Sequence, residues 1–583
     1  MKHNTGRFSA DGGRIMTRKT GLFNILLLFT ITGMTGTPAA AFLSPDDFTP
    51  PLQTPSVETT ALSSAIATYA VEKSFAGITL TQNERDALSS FYAARWNQPY
   101  WMNEDGPKPI VSPLLSALRH ADLYALAPSD FASALKLEDN GWDETGPIEL
   151  ARSEITLMRA ALLYARQASA GRIRPGSIAR KITVKPKPRD PAMVLDIMST
   201  HENPVEYLKS LHPDTPEFKQ LREAYLDYRN IVARGGWPVI SRGKALKLGS
   251  TGKRVIALRK RLAATGDLPA SEPTEKESFD EALRKAVMAA QTRYGIKPDG
   301  VAGSNTLRIF NIPAAKRLEQ LRVNLERRRW LPRNLGYRHV IVNQAEFKLR
   351  VFENNKEIYQ SRVVVGKPGH STPEFSNSIK TVVFNPYWNV PRSIATKEIL
   401  PILARNPGYL ARKGMSLISS RGRTISPYGV NWDRVSRRSF NFRIRQRPGA
   451  RNALGRIKFL FPNEHSVYMH DTPSKSLFKR DERAFSHGCV RVQDPVKFAE
   501  VLMQPQFGWS KNTIARKIAA RRNRAVRLKE NIPVHLTYRT VWVDKNGKLN
   551  FRRDFYGRDK TLAAAMKRKD RPRKLARLRR TQN

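Results

Sequence analysis

Between residues 61 and 235 apolar side chains recur close to every 3.6 positions. The stretches LTQNERDALSSFYAARW, SPLLSALRHADLYAL, LARSEITLMRAALLYARQAS and TPEFKQLREAYLDYRNIVARGG each predict an amphipathic helix, several opened by Ser, Thr or Asp suited to capping. From 244 to 311 the helical period continues in shorter pieces separated by glycine turns. Near residue 338 the period drops to two. HVIVNQAEFKLRVFENNKEIYQSRVVVG alternates around Asn354-Asn355-Lys356 and predicts a β-hairpin, and IKTVVFNPYWNV, IKFLFP and HSVYMHD add short strands. Residues 392–455, rich in Arg, Gly, Pro and Ser, interrupt this pattern. Loops beyond about 15 residues are uncommon in compact domains and often cover a site, so a substrate lid is expected there. The pattern describes an α+β multidomain chain, helical first and mostly β afterwards.

Composition changes the picture in two ways. At 583 residues the chain exceeds one hydrophobic core. Its 100 Lys and Arg against 51 Asp and Glu leave a net charge of +49, which asks for an anionic partner. The N-terminus narrows the choice: Lys2, Arg7, Arg14, Arg18 and Lys19 precede the apolar run GLFNILLLFTITGM and the small residues Ala39-Ala40-Ala41, the pattern of an export signal cleaved near Ala41. The alternative is an uncleaved inner-membrane anchor. In either case the bulk of the chain is expected in the periplasm, outside the cytoplasm. The basic runs RKIAARRNRAVRLK at 516–529 and KRKDRPRKLARLRR at 567–580 then read as helices against an anionic wall or membrane surface, and nucleic acid is excluded as a partner. Oligomeric state leaves no trace in the sequence.

Export also changes the meaning of Cys489, the single cysteine of the chain. Structural cysteines in an oxidising compartment come in pairs, so an unpaired one is either a buried hydrophobe or a reactive thiol. Its setting, AFSHGCVRV, places Ser486, His487 and Gly488 before it and Arg491 after it. His470, in VYMHDTP, lies within reach if that segment is a strand, and alternation then puts Tyr468 on the same face. A thiol of reference pKa ~8.5 needs such a base. Backbone N–H groups of Gly488 and Cys489 are candidate donors to an oxyanion. A zinc site is disfavoured, with one cysteine and no H-E-x-x-H. A serine acyltransferase of the penicillin-binding type is disfavoured too, since S-x-x-K at Ser133–Lys136 has no S-D-N beside it.

Two resemblances follow from these residues. Leu246, Gly249, Gly252, Val255, Leu258, Ala286, Val287, Gln291, Asp299, Gly300, Gly303 and Thr306 fit the pattern of the small three-helix peptidoglycan-binding domain. HDTP followed by SHGCVRV is similar to the signature of L,D-transpeptidases with a YkuD-like catalytic domain, in the large Gram-negative class that carries a scaffold. The resemblance implies Cys489 as nucleophile and His470 as general base. It implies Ser486, His487 and Gly488 as the loop and oxyanion hole, Arg491, Tyr468 and Trp388 as substrate contacts, and no cofactor. The implied reaction attacks a tetrapeptide stem of peptidoglycan, releases D-alanine and forms a 3–3 cross-link. Alternative acceptors are envelope proteins or free D-amino acids, and a non-catalytic wall-binding protein is the remaining alternative. The expected division is a signal to 41, a Pro/Thr-rich lead-in over 42–60, a helical scaffold over 61–237 and a wall-binding unit over 240–312. A connecting helix over 313–337, a catalytic domain over 338–545 and a basic C-terminal extension over 546–583 complete it.

Overall fold

The computed structural model describes residues 57–570, apart from residues 104, 141 and 143–145. The expected export signal, most of the lead-in and the tail beyond Asp570 lie outside the described residues, all of which belong to one compact unit. No helix among them is long and apolar enough to cross a membrane.

The N-terminal helices assemble around α1 (Pro147–Ala170), which starts with proline at its first turn, where a missing N–H is harmless. Its apolar residues face every side because helices Val57–Val71, Ala132–Asp139 and Pro204–Ser210 pack round it. Burial on all sides forces its polar residues to be bonded. Glu154 accepts the N–H groups of Tyr100, Trp101 and Met102 at 2.8–3.0 Å, and Arg159 donates to the carbonyls of Tyr69 and Ile78.

α2 (Pro216–Ala233) leads into a three-helix unit of Lys253–Ala263, Glu281–Arg293 and Ser304–Phe310. Val255, Leu258, Ala286 and Val287 form its core. The polar residues of the pattern serve the fold as well: the Gln291 amide donates to Asp299 and Val301 O, at 2.8 and 3.0 Å, and to Thr306, and accepts from Gly300 N. That motif fastens a turn.

α3 (Ala314–Arg329) links this unit to a β-rich half. Nine strands follow: β1 (Arg338–Asn343), β2 (Lys348–Glu353), β3 (Lys356–Gly366), β4 (Phe375–Phe384), β5 (Ile457–Leu460), β6 (Met469–His470), β7 (Ala484–Ser486), β8 (Val490–Val492) and β9 (Arg524–Thr537). Their order is β7-β3-β8-β6-β5-β4-β9-β1-β2, and β2 also pairs with β3, so eight strands close on themselves and β7 adds to the rim. The β2–β3 hairpin turns through Asn354 and Asn355, both at positive φ, as the two-residue turn requires. Alternating Val340, Val342, Val351, Val363, Phe459 and Val534 fill the interior against helix Pro495–Phe507, each buried apolar side chain contributing about 1.5–3 kcal/mol.

Three expectations change. Residues 392–455 are no irregular lid: strands Trp388–Asn389, Met415–Ile418, Thr424–Ile425 and Arg443–Gln446 form a separate four-stranded sheet around Leu403, Leu410, Leu417, Trp432 and Ile444. The basic run 516–529 is helical only to Ala519 and then enters β9, where its side chains alternate. The extension expected from 546 is built into the fold as far as Asp570. A hairpin, Val541–Val543 with Leu549–Phe551, joins the three-helix core, and α4 (Arg558–Asp570) buries Leu562, Ala563 and Met566. Charge masked this apolar face in the sequence. Asp570 is paired to Arg172 and Arg322 at 2.8 Å, so the last described residue touches the helical half.

Candidate active site

Strands β5, β6 and β8 lie side by side, and their register decides the site. Lys458 pairs with His470, and His470 with Arg491. Residues directly opposite in neighbouring strands share a face, so an imidazole stands between two cations. One step along, Val490 pairs with Met469, which leaves Cys489 across from Tyr468. The Tyr468 and His470 rings meet edge-on at 5.7 Å, and Lys458 Nζ lies 3.8 Å from the centre of the Tyr468 ring.

His470 is 4 % exposed. Its Nδ1 donates to the carbonyl oxygen of Asp471, which leaves the lone pair on Nε2. The Asp471 carboxylate is occupied elsewhere, by Arg456 N at 2.8 Å, Thr472 N at 2.7 Å and Lys475 Nζ at 2.6 Å. It does not orient the imidazole. Burial, then Arg491 and Lys458, hold the His470 pKa down at about 3. Cys489 is partly exposed, and burial pushes its thiol up while the Tyr468 N–H and hydroxyl, Lys458 and Arg491 pull it back. Burial and the thiol together push the Tyr468 phenol up, so this hydroxyl remains a donor. No hydrogen bond joins Cys489 to His470 among the described residues. The resting pair is neutral.

The loop before Cys489 turns at Gly488, with φ +120°, a conformation that side chains rarely adopt. Ser486 Oγ donates to the Cys489 carbonyl and accepts from Gly488 N at 3.1 Å. This corrects the expected oxyanion pair: the Gly488 N–H is already engaged, and Cys489 N–H alone remains of the two. Thr372 Oγ1 supports the loop from below by donating to Gly488 O at 2.8 Å, and Tyr556 and Arg558 donate in turn to the Gly366 and Thr372 carbonyls. His487 points away from the thiol. Its Nε2 sits 2.7 Å from Glu398, on the helical segment Ala395–Ile399 of the insertion, and its ring meets His370 edge-on at 5.0 Å. Arg491 contributes a buried Nε without a partner among the described residues. Trp388 stands beside the Tyr468 hydroxyl at the root of the insertion.

Lys458, Glu398, Thr372 and His370 are the residues that sequence reasoning missed. A lone lysine inside IKFLFP is the one available signal, and its alignment with His470 depends on a strand register that no local pattern specifies.

The sequence from this hairpin to helix Lys511–Ala519 has known counterparts. The model of the L,D-transpeptidase catalytic domain, YkuD, matches residues 337–513. Those residues are thus similar to the catalytic domain of YkuD-type L,D-transpeptidases. The Scaffold domain matches residues 86–224, and the "Putative peptidoglycan binding domain" matches residues 251–310. A Haemophilus influenzae protein described as "Putative L,D-transpeptidase" is 32% identical over 260 residues, which is 44% of this chain and 51% of that protein. The chain thus spans about half the length of the relative that it matches. An L,D-transpeptidase structure from Xylanimonas cellulosilytica is 15% identical, covering 51% of this chain and 99% of its own, with a TM-score of 0.17. One from Stackebrandtia nassauensis is 15% identical, covering 52% and 96%, with a TM-score of 0.21. Scores this low carry no structural argument, and the YkuD assignment rests on the sequence match. The row of Lys458, His470 and Arg491 beside Cys489 lies wholly inside the residues that this model matches.

Proposed function

We propose that the chain is a peptidoglycan L,D-transpeptidase in which Cys489 attacks the carbonyl of the third, diamino acid residue of a tetrapeptide stem. The thiol proton passes to His470 Nε2 as the C–S bond forms. The tetrahedral oxyanion is met by Cys489 N–H, and its collapse expels D-alanine, whose amine takes the proton from His470. The side-chain amine of a second stem then attacks the thioester, passes its proton to His470 Nε2 and from there to the departing sulfur, and so restores the Cys489 thiol and completes a 3–3 cross-link. Covalent catalysis of this kind needs neither metal nor external energy. The acceptor amine on an envelope protein is the second reading of the same chemistry.

The observation that carries this proposal is the cross-strand row of Lys458, His470 and Arg491 beside Cys489. A histidine of pKa about 3 is a weak base for a buried thiol. A stem peptide brings carboxylates, and a carboxylate seated on Lys458 and Arg491 cancels the two cations that depress the imidazole. The imidazole is then a stronger base with substrate bound than in the empty enzyme, where burial and the two cations hold it down. The insertion reaches the thiol loop through Glu398, 2.7 Å from His487. The helical half is then a scaffold and the three-helix unit a wall-binding module, in a protein working in the periplasm.

Intact-protein mass spectrometry tests the proposal. Incubation with disaccharide-tetrapeptide is expected to give an adduct equal to the donor less D-alanine on the wild-type chain and none on Cys489→Ala. An equal adduct on Cys489→Ala, or none on the folded wild type, overturns it.

A further inference from the structure

A second recess lies away from the thiol, where four parts of the chain meet. It is a cavity of about 740 Å³, walled by the end of the three-helix unit at Tyr294 and Arg308, by α3 at Arg317, by the catalytic domain at Phe347 and by the C-terminal segment at Arg552 and Lys560. That volume suits a drug-sized or larger ligand.

Its charge is unbalanced. The acidic residues of the wall are largely spoken for: Glu319 pairs with Lys316 and Lys567, Glu482 with Arg553 and Asp559 with Arg327, while Asp554 accepts from Tyr538 and Lys560 N. Asp481 is the exception. The cations Lys297, Arg308, Arg317, Arg552 and Lys560 line the same wall, and none of them has a carboxylate partner among the described residues. Two are deeply placed. Arg317 is 5 % exposed, lies against the stacked rings of Tyr294 and Phe551 at 4.7 and 4.8 Å, and spends two nitrogens on Gln320 Oε1 and Ile309 O. Its Nε has no partner among the described residues. Arg552 bonds only the carbonyls of Arg293 and Phe551, and it lies so close to Gly295 that a Cβ there would come within 2.4 Å of its Nε. Burying a guanidinium without an anion is unfavourable, and burial holds both at about 10. A wall of uncompensated cations backed by the buried rings of Tyr294, Phe347 and Phe551 is matched by a ligand bearing carboxylates.

We propose that this junction cavity binds the carboxylate-bearing stem of a peptidoglycan strand, apart from the stem at Cys489, so that the three-helix unit holds the wall through a surface shared with the catalytic domain. The choice of polymer rests on the function proposed above; the anion site does not.

The test uses the full chain carrying Cys489→Ala, which binds without turnover, titrated calorimetrically with soluble disaccharide-tetrapeptide. Arg308→Glu combined with Lys560→Glu changes two exposed side chains at the rim, and Arg308→Gln with Lys560→Gln is the milder companion. Affinity at one of two sites is expected to fall at least tenfold with the Glu pair and less with the Gln pair. The same titration with the carboxylates amidated should lose that site. Unchanged affinity in both pairs overturns the proposal, as does retention of the amidated ligand or full displacement by equimolar inorganic phosphate. Acylation of the wild-type chain is measured separately, so failure of the catalytic proposal leaves the binding result standing.

Discussion

His212, in the helical half, and His470, in the sheet, are both buried and both hemmed in by cations, yet they end in opposite states of use. His212 stacks on Tyr124 at 4.1 Å; its Nδ1 accepts from Arg329 at 3.4 Å and its Nε2 lies 3.2 Å from the Tyr164 hydroxyl. Both ring nitrogens are occupied, with the proton on Nε2. His470 carries its proton on Nδ1, bonded to the Asp471 carbonyl, and no hydrogen bond to its Nε2 is made among the described residues. The difference is one hydrogen bond. A buried polar group with every valence satisfied contributes to stability, and one held with a valence free is available for chemistry.

The sharpest way to break this comparison is to exchange the fates of the two rings. His470→Gln is expected to lower kcat by about 10²- to 10⁴-fold, the usual range for a lost general base, with little change in melting temperature. His212→Ala should do the reverse, destabilising the fold by about 2–4 kcal/mol through a cavity and unpaired Tyr164 and Arg329 groups, with turnover per folded molecule kept. Calorimetry and steady-state kinetics on the same preparations decide it. If both variants lose only stability, His470 is not the base.

Lys458→Met gives an intermediate effect. Removing a cation beside the sulfur raises the thiol further, so alkylation of the free enzyme by iodoacetamide should begin at higher pH than in the wild type, and kcat/KM should fall about tenfold. Lys458→Arg should recover part of both. An unmoved alkylation profile removes Lys458 from the site.

The smallest effect is on stability against pH. Burial and the neighbouring cations hold the pKa of both rings below the unfolded value of ~6.5, that of His470 at about 3. Below that value the unfolded chain takes up protons that the folded chain refuses. The stabilisation is therefore full above about pH 6.5 and declines as pH falls through the folded pKa. Melting curves between pH 7 and 4 should show the decline, and His212→Phe should flatten part of it.

Much of this was legible in the chain and some was not, for a consistent reason. Cys489, Gly488, Ser486 and the Tyr468–His470 pair are close in sequence, and alternation along a short strand placed two of them on one face. Lys458 and Glu398 reach the site through strand register and through the insertion, neither of which is encoded locally. The insertion escaped recognition because its longest helix, residues 392–403, widens into a π segment over Ala395–Ile399 that breaks the 3.6-residue period, and its strands are only two to four residues long. The role given to Gly488 N–H failed because a hydroxyl two residues away competes for it. Arginine-rich composition hid α4, whose buried face shows only when α3 and Ile173 are set against it.

Arg558, whose guanidinium bonds Glu374 and the Thr372 carbonyl beneath Gly488, is synthesised after Cys489 and after every strand of the barrel. Until it arrives, the turn that aims the sulfur has no floor. A chain that stalls or is clipped before this point carries the cysteine without its frame, and synthesis from N- to C-terminus thereby delays reactivity until this arginine is in place.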